Sequence, residues 1–322
     1  HLSGTPDNAT GEGGEYDMGT TFPYALAKAS DPAKALRSTA LADEIEVDTA
    51  LAAVDGEHLG EDDVADFLAV SFSAHDYAGH QWGQESWERL EVLLRLDEQV
   101  GRLLRGLDRR IGSDRYAVIF TSDHGATPLI ERSVAAGTPA RRIPPAELEA
   151  VAEAAAARVL GPGDWVAAIS ASSLYLSPAL RDAAVGSDAA ARRSEALDAM
   201  VTALVAVDGI ADVRRADRSG GACDSRSGLD ALVCHAIVPG ESGELYLAAR
   251  DRSLITSYGS GTSHGSASDD DRQVPLILRV PGQPPGEDDQ PISMLRVAPT
   301  LAALLAVPAP PAAREAALLA PP

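Results

Sequence analysis

The chain has 322 residues, of which 45% are apolar and only 4% aromatic, and its formal net charge is −21. This length allows two domains or one large α/β domain with an insertion, and the abundant alanine and leucine predict an aliphatic core with many helices. The negative charge disfavours nucleic acid or an anionic membrane as a partner, because both are polyanions, and an anionic substrate would need a local cation.

The first part of the chain predicts one strand–helix–strand unit. Residues 1–22 are rich in turn-forming residues and are expected to be a loop. Helices are then predicted at 25–36 and 38–54, a buried strand at 64–74, an amphipathic helix at 86–111 and a second buried strand at 116–122. Two buried strands joined by a helix predict a parallel sheet, with functional loops after the carboxyl ends of its strands.

From about residue 138 to 250 the pattern changes to short mixed elements, which is typical of an inserted α+β lobe. Elements are predicted there at 144–160 and 181–207 (helices) and at 165–177, 209–216, 231–238 and 243–250 (strands). A buried strand at 273–282 and a closing helix at 294–307 follow. The predicted domains are a metal-binding α/β core at 1–137, a cap lobe at 138–250, a return to the core at 251–308 and a disordered tail at 309–322.

No run of about eighteen apolar residues occurs, so no membrane span is expected. A basic start followed by an apolar segment is also missing, so no signal peptide is expected in this chain. Cys223 and Cys234 are spaced suitably for a disulfide that closes a surface loop, which would indicate an oxidising compartment. Two free thiols are the alternative.

Carboxylate and imidazole side chains stand where predicted strands end and in one later loop, namely Asp76, His80, Asp123, His124 and His264. Asp76 and His80 are four residues apart, so a helical turn would place both on one face. A capping Asp beside a surface His is the alternative. Asp123 and His124 precede Gly125, which permits a tight turn towards one cavity; an Asp bound to loop amides beside a core His is the alternative.

His264 lies in a loop too glycine-rich to be helical. As a fifth ligand it completes a set sufficient to begin two adjacent metal sites with open positions for substrate. Two divalent ions about 4 Å apart would bind the attacking and leaving oxygens of an in-line displacement at phosphorus.

Other candidates are weaker. His58 and His235 are expected to be solvated or structural, His235 within a strand. His75 is expected on a strand and pointing away from its neighbour, and the acidic run 269–271 is expected to be a solvated loop. The sequence contains no P-loop and no nucleophile elbow.

Several blocks together resemble the alkaline phosphatase superfamily: LAVSFSAHDYAGHQWG, RLDEQVGRLLRGLDRRIG, YAVIFTSDHG, GSGTSHGS, and VPLILRVPG followed by SMLRVAPTLAALLAV. The resemblance is to PafA-like alkaline phosphatases and their type I phosphodiesterase and nucleotide pyrophosphatase relatives, and it runs from about residue 20 to 308. It implies an α/β three-layer sandwich with a mostly parallel central sheet and an inserted α+β cap. The amino-terminal part of that fold would be missing.

The resemblance also implies two zinc ions. One would be held by Asp76, His80 and His264, and the other by Asp123 and His124 together with an Asp and a nucleophilic Thr. The family carries these last two residues in a segment upstream of residue 1, and nothing in residues 1–65 matches that segment. No catalytic residue is therefore assigned in this chain.

The implied function is hydrolysis of a small phosphate monoester through a phospho-Thr intermediate, in the periplasm or outside the cell. This chain would be the carboxyl-terminal part and inactive alone. The alternatives are a phosphodiesterase or nucleotide pyrophosphatase with the same metals, a cofactor-independent phosphoglycerate mutase using Ser and manganese, and a non-catalytic metal-binding remnant.

Overall fold

The structure is a computed structural model that describes residues 6–182, 188–238 and 240–319. Its α-helices are α1 (Pro32–Ala35), α2 (Ala40–Gly56), α3 (Ala74–Trp82), α4 (Trp87–Arg110), α5 (Ile130–Ala135), α6 (Pro145–Leu160), α7 (Pro178–Arg181), α8 (Asp188–Val205), α9 (Ala216–Ser219), α10 (Gly228–Ala236), α11 (Asp269–Arg272) and α12 (Val297–Leu304). None of the helices in these residues is both long and apolar enough to cross a membrane.

In the described part of the chain, the strands are short and form three separate sheets. They are β1 (Val118–Thr121), β2 (Arg142–Ile143), β3 (Val166–Ser170), β4 (Ser173–Leu176), β5 (Ile210–Arg215), β6 (Leu245–Ala249), β7 (Leu254–Ile255) and β8 (Leu276–Arg279). β1 pairs with β8 in antiparallel orientation, β2 pairs with β7 in parallel, and β3-β4-β6-β5 form an antiparallel sheet in that order.

The chain folds into two compact units, each assembled from three stretches of sequence. The first contains His1–Ala35, Asp76–Leu90 and Asp123–Val274, and the second contains Leu36–His75, Glu91–Ser122 and Pro275–Pro322. The predicted division into core, cap lobe and tail is a different one and stays a prediction.

The main core of the first unit lies between the four-stranded sheet and two helices. Alternate residues of the strands, such as Leu174 and Leu176 of β4 and Leu245 and Leu247 of β6, are buried, as the two-residue period of a half-buried strand requires. α6 and α8 pack on each other and against this sheet. Burying these aliphatic side chains contributes roughly 2 kcal/mol each.

The parallel pair β2–β7 is only two residues long, but it connects two distant parts of the first unit. Leu254 donates its amide to Arg141 at 3.1 Å, and Thr256 donates to Ile143 at 2.9 Å. The guanidinium of Arg142 binds both carboxylate oxygens of Glu131, at 2.8 and 2.9 Å, and donates to the carbonyl of Gly261 at 2.7 Å. The segment that leads to His264 is therefore anchored at its start.

The second unit is built around α2 and the part of α4 that belongs to it. Val47, Ala50 and Leu103 form a small buried cluster, against which Leu68, Val70 and Phe72 pack. Surface ion pairs join the two helices, among them Arg110 with both oxygens of Asp55 at 2.6 and 2.9 Å. Such an exposed pair contributes little to stability, because solvent and salt screen it.

The stretch 64–74, which was predicted as a strand, is not a strand in the structure. Residues 65–73 have no regular secondary structure. Leu68, Val70 and Phe72 pack against the buried cluster of the second unit, while Phe67 is 59% exposed. Among the described residues, the stretch 65–73 forms no ladder with another strand. Apolar sequence alone cannot make a strand, because a strand requires a hydrogen-bonded neighbour, and β1 meets β8 in antiparallel rather than parallel orientation.

Two other segments that are predicted as single strands have a different structure. Residues 231–238 are largely in helix α10, and the prediction of a strand there is wrong. Residues 165–177 form a hairpin instead of one strand, with Ala171 at a positive φ of 48° in the turn between β3 and β4. Of the helix predicted at 181–207, α8 covers 188–205, and 183–187 lie outside the described residues.

Cys223 and Cys234 form a disulfide, with their Cα atoms 5.6 Å apart. The end of the chain contacts α12 and the turn before it: Arg296 donates to the carbonyls of Ala316 and Ala317, and the amide of Leu318 donates to Thr300 at 2.8 Å. A disordered tail is predicted for 309–322, but residues 316–318 make these hydrogen bonds. Residues 320–322 lie outside the described residues.

Candidate metal centre

Helix α3 carries the first two residues of the site. Asp76 lies in its first turn and His80 in its last turn, and four residues bring two side chains to the same helix face. His80 Nε2 is 3.3 Å from Asp76 Oδ2, and both side chains are about one-third exposed, at 33% and 39%. The spacing of four residues, from which the sequence predicts two ligands of one metal ion, therefore places the two side chains next to each other.

His264 approaches the other oxygen of the same carboxylate. Its Nε2 is 3.9 Å from Asp76 Oδ1, although it lies far along the sequence. The backbone brings it there, since Thr262 donates its amide to the carbonyl of His80 at 2.9 Å. Gly261 makes this approach possible, because its φ is +68° and a Cβ would lie 2.0 Å from the His80 carbonyl oxygen.

His124 joins the group by stacking on His264. The two rings are 3.4 Å apart between centroids and inclined by 16°, and ligand atoms of Asp76, His124 and His264 all lie within 4.8 Å of one another. Asp123 is at the edge: its side chain is 86% exposed, with Oδ1 3.6 Å from His124 Nε2. The five predicted ligands thus form one series of neighbours, with Asp123 outside its compact part, and their assignment to two metal ions stays a prediction.

The tautomers of two histidines are fixed by backbone carbonyls. His80 Nδ1 is 2.9 Å from the carbonyl oxygen of Thr262, and His124 Nδ1 is 2.7 Å from that of Gly125. Each Nδ1–H therefore donates outwards and leaves Nε2 for the cluster, which is the usual second contact of a metal-binding histidine.

This arrangement has an electrostatic consequence. A lone pair on His80 Nε2 would face a carboxylate oxygen of Asp76, so a proton or a cation must lie between them. The hydrogen bond with Asp76 accordingly raises the pKa of His80 above its ordinary value. Nitrogen and carboxylate donors of this kind fit Zn²⁺.

Charge and burial also shift the pKa values of Asp76 and His264. Burial favours a higher pKa for Asp76, but the hydrogen bond from His80 and the charges of His80, His264 and His124 outweigh it, so the pKa of Asp76 lies below its ordinary value. Burial and the nearby His124 lower the pKa of His264. At neutral pH the group therefore contains an ionised carboxylate and a neutral His264, both in the form that binds a metal ion.

A second layer of contacts escaped the sequence analysis. Asp271, expected in a solvated acidic loop, is only 4% exposed, and its carboxylate accepts hydrogen bonds from Thr127 and from the amide of Ser266. Gly125 donates its amide to the carbonyl of Asp271 at 2.7 Å. Of its neighbours, Asp269 is 74% exposed as expected, whereas Asp270 is 35% exposed and pairs with Arg252 at 2.9 Å. All three lie in α11 and not in the predicted loop. Only the tertiary fold distinguishes Asp271 from them.

The remaining histidines lie elsewhere. His58 is 72% exposed and faces Glu61, and His235 is exposed on α10 rather than on the predicted strand. His75 is the second residue of α3, so its predicted place on a strand is wrong. None of them belongs to the compact group of Asp76, His124 and His264.

Comparison with known proteins relates both the sequence and the fold to phosphate-ester hydrolases. The profile of the family "Type I phosphodiesterase / nucleotide pyrophosphatase" matches residues 13–267. The chain is 28% identical over 293 residues to alkaline phosphatase PafA of Elizabethkingia meningoseptica, covering 89% of this chain and 52% of the relative. It is also 28% identical over 313 residues to alkaline phosphatase PhoD of Zymomonas mobilis, covering 90% of this chain and 51% of that protein.

The fold is similar as well. The crystal structure of wild-type alkaline phosphatase PafA superposes with a TM-score of 0.86 and 26% identity, covering 98% of this chain and 59% of that one. The predicted α/β fold class is therefore confirmed, but β2–β7 is the only parallel pair among the described strands, so the predicted mostly parallel central sheet is not observed there. The chain spans about half the length of the curated relatives described here.

Proposed function

Because the chain belongs to the type I phosphodiesterase / nucleotide pyrophosphatase family, within the alkaline phosphatase superfamily and with a PafA-like fold, we propose that it is the carboxyl-terminal part of a zinc-dependent phosphate monoester hydrolase. The substrate would be a small phosphate ester, and the complete enzyme would use two zinc ions and a phospho-Thr intermediate. The nucleophilic Thr and one further Asp ligand would come from the part of the relatives that this chain does not match, so this chain alone would turn over no substrate.

The observation that supports the proposal most directly is the environment of Asp76. One of its oxygens faces His80 Nε2 and the other faces His264 Nε2, and a single cation near the three groups would satisfy all of them. His124, stacked on His264, would serve the second ion together with Asp123. When bound, the two ions would supply Lewis acidity at the phosphoryl group and at the leaving oxygen.

The residues of this chain would have two tasks in that reaction. Asp76 supplies fixed negative charge that offsets the cations. The Nδ1–H groups of His80 and His124 hold their rings to carbonyl oxygens, so that Nε2 of each is oriented before an ion arrives. The ions in turn offset the acidity of a chain with a net charge of −21, which would otherwise repel an anionic substrate.

The location follows from two supports. The disulfide between Cys223 and Cys234 is typical of proteins in oxidising compartments, and the resemblance to PafA-like enzymes implies export. We therefore place the enzyme in the periplasm or outside the cell. Fractionation of the native host, probed with an antibody against this chain, tests this directly, and a wholly cytoplasmic signal would refute it.

Metal analysis tests the core of the proposal. After dialysis against zinc and then against metal-free buffer, the wild-type chain should retain at least one zinc ion, and H80A and H264A should lose it. H58A is the matched control, because it removes an exposed histidine outside the cluster and should retain the metal. Failure of the wild-type chain to retain zinc, or equal retention by H80A and H264A, would refute the assignment.

A phosphodiesterase or nucleotide pyrophosphatase is the second candidate, because the matching family profile bears that description. Both activities would use the same cluster, so the structure of this chain supports them equally. Rates on a monoester and a diester with the same leaving group, measured on the complete protein, decide between them. Turnover of neither substrate by a zinc-loaded complete protein would favour a non-catalytic metal-binding role.

A further inference from the structure

Two loops carry the imidazoles at the centre of the cluster. The His124 loop comprises residues 123–128, and the His264 loop comprises residues 257–268. Loops of this kind are normally the more mobile parts of a fold, yet a metal site requires its ligands to be held within a fraction of an ångström. Something must therefore fix the two loops against each other.

Backbone and hydroxyl contacts already join them at one point. Thr127 donates its amide to the carbonyl of Ser263 at 3.2 Å, and the hydroxyl of Thr262 donates to the carbonyl of Thr127. Both threonines are buried, at 2% and 5% exposure. These bonds lie three residues after His124 and one or two residues before His264.

Asp271 connects the same two loops with one carboxylate. Its Oδ1 accepts from the hydroxyl of Thr127 at 3.1 Å, in the His124 loop, and its Oδ2 accepts from the amide of Ser266 at 2.7 Å, in the His264 loop. Its carbonyl also accepts from Gly125. Gly125 has to be glycine here, because a Cβ would lie 2.1 Å from the carbonyl oxygen of Asp270.

We propose that Asp271 is a positioning residue that fixes the spacing of His124 and His264 by bridging their loops with its buried carboxylate. The inference rests on the proposed function, since it assumes that these histidines bind metal. Hydrogen bonds to a carboxylate are among the stronger ones in proteins, and here one buried side chain accepts one from each loop. Because the ligands are ordered before the ion arrives, ion binding does not have to supply the free energy of ordering them.

Zinc affinity, measured by competition with a chelator of known affinity, provides the first test. D271A should weaken zinc binding by about 10- to 100-fold, as loss of an outer contact commonly does. D271N should lose less, because its amide carbonyl can still accept from Ser266. D269A is the matched control, since it makes the same change at an exposed acid of the same helical turn, and it should bind zinc as the wild type does.

A second pair of variants keeps Asp271 and changes its partner. T127V removes the bridging hydroxyl at nearly constant volume and should weaken zinc binding, whereas T127S keeps the hydroxyl and should restore it. Cobalt substitution supplies a readout that a merely stabilising role would not move: the visible absorption spectrum of bound Co²⁺ should change in D271A and T127V but not in T127S.

The outcomes separate the two proposals. If the wild-type chain retains no zinc, the proposed function is refuted and the inference fails with it. If the wild type binds zinc and D271A binds it equally, with an unchanged cobalt spectrum and only a lower unfolding free energy, Asp271 is structural and the inference alone is overturned.

Discussion

The buried carboxylate of Asp43 lowers the stability of the fold when it ionises. It lies on the buried face of α2, in line with Ala40, Val47, Ala50 and Val54, and is 0% exposed. Within the described residues neither of its oxygens has a hydrogen-bond donor. Burial, together with the nearby Glu46, raises the pKa of Asp43 from its ordinary 3.8 to about 7.

The sign of the effect follows from linkage. The folded chain holds the proton up to about pH 7, whereas the unfolded chain releases it near 3.8, so stability present below 3.8 is lost as the pH rises to about 7. Each pH unit in that window costs about 1.4 kcal/mol. Between about pH 5 and about pH 8 the loss attributable to Asp43 is thus about 3 kcal/mol, from two units of the window.

D43N removes this titration while keeping the size of the side chain. Urea unfolding, followed by circular dichroism with a chelator present, should show D43N gaining about 3 kcal/mol relative to wild type when the pH is raised from about 5 to about 8. E44Q is the control, because Glu44 is exposed on the same helix. The unfolding free energy of E44Q should change with pH as that of the wild type does. Parallel pH profiles for D43N and wild type would refute the reasoning.

Three further perturbations have expected outcomes. G125A should destabilise the fold by about 1 to 3 kcal/mol in urea unfolding, since its Cβ would overlap the Asp270 carbonyl; a wild-type midpoint would contradict this. Reducing the Cys223–Cys234 bond, which joins residues 11 apart, should cost about 3 kcal/mol, and an unchanged Tm with reductant would argue against it. Zinc retention should fall on acidification, because the hydrogen bond with Asp76 raises the pKa of His80 and the proton on His80 must leave before the ion binds; wild-type retention that stays constant on acidification in equilibrium dialysis would contradict this.

The sequence predicts the long helices well, and the strands predicted at 116–122, 209–216, 243–250 and 273–282 are also observed. Other short elements are predicted wrongly. The helix predicted at 86–111 is observed at 87–110, and that at 144–160 is observed at 145–160. Many turns of consistent period and, for the second, a proline at the first helical position define these helices. An eight-residue apolar run such as 231–238 fits a helix and a strand equally.

At the site, too, the sequence predicts some residues and misses the contacts that depend on tertiary structure. The chemistry of carboxylates and imidazoles after apolar runs, with the resemblance to a known family, identifies Asp76, His80 and His264 as a group. The stacking of His124 on His264 and the burial of Asp271 are tertiary facts. Nothing in a run of three aspartates distinguishes the one whose side chain the fold encloses.

All five candidate ligands belong to the same one of the two compact units. An ion bound there adds its free energy of binding to the opening of that unit, by an amount that grows with the logarithm of ion concentration. Titration with zinc should therefore slow amide exchange in the sheet β3-β4-β6-β5 and its helices, while α2 keeps its rate.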